Sequence, residues 1–245
     1  MTIEYQNVES WTELQSLIIE YFYSFPDYIF RGQAQDNWNI ESSLTRLLKR
    51  SEITKDWDIF YNEQLTSFKL KARGQNLDLS NMDDNEIWAI GQHYGLATPL
   101  VDWTNSPFVA LFFALTGSQK SETGKRAIWA FNLPDLNYFN KNSGIETVNP
   151  LHENKRLVSQ SGLFLKLPLE EDFENIVKKQ AKQDWVSMYK ITFPDEILKQ
   201  AFLGLDLMNI NYSSLYPDLI GASLSTNQKI ELNNFITDEQ QKLYE

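Results

Sequence analysis

The sequence predicts an α+β domain in which a small mixed or split β-sheet is covered by helices. Short strand patterns near Tyr28, Ala127, Leu163 and Trp185 are scattered among longer helical ones, without regular βαβ alternation. The run Phe108–Leu115 (FVALFFAL) is apolar on every side and predicts a central helix packed all round. A chain of 245 residues with 42% hydrophobic and 13% aromatic content can bury a substantial core. There is no internal repeat, low-complexity tract or linker, so one domain is expected over 1–245.

Trp11, Leu14, Ile18 and Phe22 recur at helical spacing behind a cap at Ser10, with Glu13 three residues on. Phe25-Pro26-Asp27 ends that helix. Tyr28-Ile29-Phe30 is β-branched and aromatic, a short strand that delivers Arg31-Gly32-Gln33. Glu41–Arg50 reads as a helix turning Leu44, Leu47 and Leu48 inward and Arg46, Lys49 and Arg50 outward. A longer helix is expected over Lys55–Lys71, a polar linker over Gly74–Asp84, and a further helix from Asn85. Gly91–Pro107 reads as a polar, turn-rich connection between helices. Ala127–Leu133 is a strand pattern and Asp135–Asn149 has no sustained period. Ser159–Gly162 is a turn feeding the next strand, and Glu170–Gln183 is an amphipathic helix. Trp185–Phe193 alternates as a strand, and Pro194 opens a helix over Asp195–Phe202. Pro217 suits the first position of the last helix, with Asp218 in its first turn, and Thr237–Glu245 is expected to fray.

The net charge of −11 argues against bulk attraction to duplex nucleic acid or an anionic membrane. Without cysteine there is no disulfide, thiolate metal site or cysteine nucleophile, and two histidines, His93 and His152, leave little for a metal centre. No basic-then-apolar leader and no apolar run near 20 residues is present, so a cytoplasmic protein is expected.

Arg31 at the mouth of a strand, followed by Gly32, is suited to meeting an anion: its planar fork takes phosphate or carboxylate bidentately, and glycine permits close backbone approach. A buried structural ion pair is the competing reading. Arg46, Lys49 and Arg50 either contact a phosphate or form a solvated helix face.

Four segments share one pattern: Phe30-Arg31-Gly32-Gln33; Gln92-His93-Tyr94-Gly95-Leu96 with Thr98 and Val101-Asp102-Trp103-Thr104; Gln160-Ser161-Gly162-Leu163-Phe164; and Leu215-Tyr216-Pro217-Asp218-Leu219. In order and spacing they resemble the FRG domain, a bacterial and phage family named for its Phe-Arg-Gly triplet. The resemblance runs over about 24–230, with Asn154 and Arg156 also at family positions. Pro99 and Val101 depart from the usual pattern.

The arrangement is also similar to the ADP-ribosyltransferase fold. That likeness implies an NAD-dependent enzyme in which Arg31 holds the pyrophosphate and Ser159, Gln160 and Ser161 line the nicotinamide ribose. Asp218 would bind a ribose hydroxyl or stabilise an oxocarbenium-like centre, and His93 would orient the ribose. The analogy is weakest at Asp218, because the superfamily carries a glutamate on a strand there. A role in phage–host conflict is an expectation from where genes of the FRG family tend to occur, not from any residue of this chain. The alternative is a non-catalytic module in which Arg31, Gln33, Arg46, His93 and Asp102 line a pocket for a nucleotide, a modified base of a nucleic-acid element or a protein tail, with Trp38 and Trp103 as stacking faces. A third reading makes the motifs fold-specifying, Asp102 capping Asn105–Pro107 and Trp103 filling the core. Gly32, Gln33, Trp103 and Thr104 complete the candidate ligand-binding set. A small-molecule nucleotide is the expected ligand, with long nucleic acid and membrane disfavoured.

Overall fold

The protein is described by a computed structural model covering residues 2–75, 79–116, 120–139, 143–149, 155–180 and 185–242, with backbone alone at 155 and 234–242. His152 and Asn154 lie outside the described residues. The strands are β1 Thr2–Asn7, β2 Tyr28–Gln33, β3 Leu100–Thr104, β4 Lys125–Asn132, β5 Glu146–Val148, β6 Gly162–Lys166 and β7 Val186–Pro194. They form one mixed sheet in the order β1-β7-β4-β2-β3-β6-β5, in which β1 runs parallel to β7 and the other neighbours are antiparallel. The architecture is α+β, with the sheet larger than the sequence patterns suggested.

Side-chain alternation sorts the core. Along β2, Tyr28 and Phe30 enter one apolar cluster while Ile29 enters another on the opposite face. The first cluster packs β2, β4 and β7 against α1 (Trp11–Phe22), α5 (Pro107–Thr116) and α8 (Leu198–Leu207). The opposite face is covered by α7 (Phe173–Lys179), through Phe173, Ile176 and Val177. A third cluster joins Leu100, Val148 and Phe164 to α2 (Ser43–Arg50), α3 (Trp57–Lys71) and α4 (Asp84–His93). The remaining helices are α6 (Lys155–Ser159), α9 (Tyr212–Leu215) and α10 (Leu219–Lys242).

β2 and β4 pair from Tyr28↔Asn132 to Gln33↔Ala127, and β3 and β6 from Leu100↔Lys166 to Thr104↔Gly162. Between these two blocks, β2 and β3 meet at Phe30↔Thr104 and then part. The two blocks therefore part along a seam, while on one face the apolar cluster under α7 continues across both.

Capping explains the local elements. Ser10 accepts from Glu13 N–H and opens α1 as expected, and Asp83 with Glu86 makes a full capping box on α4. Ser106, not Asp102, caps α5: its hydroxyl accepts from Val109 N–H at 3.3 Å. The fully buried Arg126 donates to Asp195 at 2.7 Å and to the Ala114 and Leu115 carbonyls at the end of α5.

Several sequence expectations are corrected. Gly91–Pro107 is not a plain helix-to-helix connection, since β3 lies within it; the exposed Asp102 in a five-residue strand interrupts the apolar pattern. Asp218 is the residue before α10, not in its first turn; its carboxylate accepts from Ile220 and Gly221 N–H. The tail expected to fray is helical to Lys242. β1 was not anticipated because its residues are half-buried or exposed.

Gly32 serves helix packing. A Cβ there would stand 1.9 Å from the Ala110 carbonyl oxygen and 2.5 Å from the Ala114 nitrogen, so α5 lies directly on β2. Replacing Gly32 with alanine forces that helix away and is expected to cost about 3 kcal/mol or more. Thermal melting should fall by roughly 10 °C; an unchanged melting temperature would show that α5 moves without penalty.

Candidate functional site

The seam opens into a cleft of about 360 Å³. Phe30 and Gly32 of β2, Phe113 of α5 and Tyr216 bound it on one side, and Gln92 and His93 of α4 on the other. Asp102 and Thr104 of β3, with Arg156 and Gln160 around α6, complete the polar lining. Arg31, His93 and Asp102, separate in sequence, thus share one cleft.

Arg31 lies across the seam. Its Nη1 donates to the Asp102 carbonyl at 2.7 Å and lies 4.0 Å from Asp102 Oδ2. Its side chain is 18% exposed, and Nε has no acceptor among the described residues. Burial pushes the guanidinium pKa below its ordinary range; Asp102 counters this, and nearby Arg46 adds to it. An arginine in this state favours an anion that supplies both charge and a lone pair.

The Asp102 side chain is 66% exposed and held by one edge: Gln92 Nε2 donates to Oδ1 at 2.7 Å. The Gln92 carbonyl in turn accepts from Thr98 Oγ1. This chain fixes the amide and leaves Oδ2 toward the cleft and Arg31. Gln92 follows Gly91 on α4, and beyond the cap at Tyr94 the chain turns at Gly95, whose φ of +90° glycine adopts without strain.

The other candidates divide. Thr104 lines the cleft, but its hydroxyl donates to the Gln160 carbonyl at 2.7 Å and accepts from Ser106 N–H. Gln160 also lines it, with Nε2 donating to the Leu215 carbonyl at 3.1 Å and its side-chain oxygen left as an acceptor. Ser159 is turned to the Arg156 and Leu215 carbonyls, and Ser161 sits on a left-handed turn beside Asn105; neither lines the cleft. Gln33 is buried outside the cleft lining, bonded to Trp129 Nε1 at 2.7 Å and to the Asn39 carbonyl. Trp103 packs against Phe131 and Phe173 and is 2% exposed, so it offers no open stacking face.

Asp218 is also engaged elsewhere. Arg156 Nε and Nη2 donate to its Oδ2 at 3.0 and 2.5 Å, and the carboxyl is held below its ordinary range by that contact and by the α10 N–H groups. Arg156 covers the Tyr216 ring at 5.2 Å. Gln92, Tyr216 and Arg156 were noted only as motif or family positions and were given no role in the sequence-derived site. A glutamine two residues before a tyrosine carries no chemical signal until the fold places it beside Asp102.

Burial lowers the His93 pKa, Arg156 lowers it further, and Asp218 partly opposes both. The ring is therefore neutral at neutral pH. Among the described residues there is no cluster of three or more His, Asp or Glu able to hold a metal ion, and no helix long and apolar enough to cross a membrane.

Fold and site together define an α+β protein with an arginine-floored cleft at the parting of two central strands. Residues 26–123 match the family model described as FRG domain, so the chain carries an FRG domain there. The matched stretch contains Arg31, Gln92, His93 and Asp102, while Arg156, Gln160 and Tyr216 come from beyond it. No curated protein and no solved structure matches the chain.

The charges around His93 give opposite expectations for two variants. Arg156→Ala removes a repulsive cation and releases Asp218, so the His93 midpoint, followed by NMR, should rise toward 6.5. Asp218→Asn removes the attraction and should lower it further. Shifts of the same sign in both variants would contradict this arrangement.

Proposed function

We propose that the cleft binds a nucleotide of the NAD type and that the protein acts on it as an ADP-ribosyltransferase-like enzyme. The observation that carries the reading is the buried Arg31 guanidinium at the seam, with a donor that meets no acceptor among the described residues. The exposed part of the Arg31 guanidinium, which lines the cleft, would donate to a pyrophosphate oxygen. Tyr216 and Phe113 offer apolar ring surface for a flat heterocycle. Asp102, not Asp218, takes the acidic role: it is the carboxylate lining this cleft among the described residues, and Gln92 orients it. NAD supplies the C–N glycosidic bond to be cleaved; with water as acceptor the products are nicotinamide, ADP-ribose and a proton. Asp102 would accept a hydrogen bond from a ribose hydroxyl and favour positive charge developing at the anomeric carbon. Neutral His93 would orient the ribose from the opposite wall.

One observation favours a non-catalytic recognition module instead. Asp218, the acid expected from the resemblance, is committed to Arg156 and to the start of α10. Two measurements separate the readings. In calorimetric titration with NAD, Arg31→Ala should lose about thirtyfold or more in affinity, and Arg31→Lys should recover little, because a point charge cannot replace the fork. Asp102→Asn should keep binding and lose nicotinamide release by about a hundredfold. Binding without release in the unaltered chain would support the module. Full binding by Arg31→Ala, with a large drop in melting temperature, would reduce Arg31 to a structural role.

A further inference from the structure

Behind Arg31 lies a second space of about 360 Å³, lying against α2. It shares Arg31, Gln92 and Asp102 with the cleft, so these three side chains form the partition between the two. Its other charged lining groups are Arg46, Arg50 and Glu41. The Glu41 carboxylate is paired with Lys49, which turns away along α2 to meet it. Arg46 donates one Nη1 hydrogen to the Glu41 carbonyl at 2.6 Å and keeps its other donors. Arg50, exposed in the last turn, has no hydrogen-bond or ionic partner among the described residues. Asp102 is already bonded to Gln92.

Three guanidinium groups therefore face one space with two carboxylates, Glu41 paired with Lys49 and Asp102 bonded to Gln92, in a chain of net charge −11. Burial chiefly lowers the proton affinity of Arg31, and Arg46 lies close enough to add a smaller repulsion. Like charges gathered against the overall charge of a protein are stabilised by a multivalent anion between them. A phosphate monoester, with a charge near −2 and three acceptor oxygens, meets that requirement better than a singly charged diester oxygen.

We propose that this second space is a phosphate-binding subsite, and that the ligand of the cleft is a nucleotide carrying an additional phosphate monoester, of the NADP type, in preference to its unphosphorylated counterpart. The ligand's identity rests on the reading of the cleft given above; the subsite stands on its own geometry. One extended ligand would pass over Arg31, its reactive half in the cleft and its phosphorylated half against α2.

Calorimetric titration of the full chain with NAD and with NADP tests this. NADP should bind at least about tenfold tighter than NAD. Arg46→Ala/Arg50→Ala should abolish that difference, at unchanged melting temperature because both residues are exposed, whereas Arg31→Ala should weaken both ligands. Equal affinities in the unaltered chain, or a preference that survives the double substitution, would overturn the proposal while leaving the function of the cleft intact. If neither dinucleotide binds, the reading of the cleft fails and the subsite is judged by inorganic phosphate. Saturable NMR shifts of the Arg46 and Arg50 Nε–H groups, absent in a sodium chloride control, would support it, and unmoved resonances would overturn it.

Discussion

The hydrogen bond from Arg31 Nη1 to the Asp102 carbonyl spans the place where the central sheet comes apart. β2 and β3 share Phe30↔Thr104, and beyond it each strand edge presents backbone groups to a gap. Unpaired backbone groups away from water are costly, and the guanidinium serves one of them where a neighbouring strand would otherwise do so. A charged group spends that bond only partly: it brings five donors to a place with few acceptors. The same residue that joins the two halves of the sheet therefore leaves the seam short of negative charge. Closing the gap would expel the arginine, and widening it would break the bond, so the cleft's geometry and its chemistry have one cause.

Much of the architecture was legible because it depends on short-range patterns. Trp11–Phe22 shows its helical period and its cap, and Phe108–Leu115 is apolar all round because α5 lies between the sheet and α8. Arg31 could be singled out from a strand ending in Arg-Gly. β3 could not be read in advance: Asp102 serves the cleft and not the core, so the residue that carries the chemistry breaks the pattern that marks a strand. Gln33, Ser159 and Thr104 look equally polar in sequence, yet their groups satisfy Trp129, the Leu215 carbonyl and the Gln160 carbonyl. Which polar residue is spent on structure and which faces a ligand depends on tertiary neighbours 56 to 96 positions away.

The wall opposite α4 is completed by later residues. Arg156 links α6 to the start of α10 through Asp218 and lies over Tyr216, and Gln160 ties the same turn to Leu215. The stretch matching the FRG family model contributes the arginine, the glutamine, the histidine and the aspartate, but a cleft with two sides requires the remainder of the chain. The Arg156–Asp218 pair also places opposite charges near His93, setting the protonation of a ring that belongs to the other wall.

The parallel pairing of β1 with β7 has a consequence for how the chain assembles. Thr2 bonds to Trp185, 183 positions away, across nearly every other element. A loop of that length closes late, because the entropy lost in closing it is recovered only when the strand on which it docks already exists. During synthesis the first strand emerges long before its partner and must wait, half-polar and unpaired, until β7 leaves the ribosome. Its pattern of exposed and half-buried side chains suits that interval, since a strand with little apolar surface has little to misdirect. The sheet is thus completed at the edge by a segment made well before its partner.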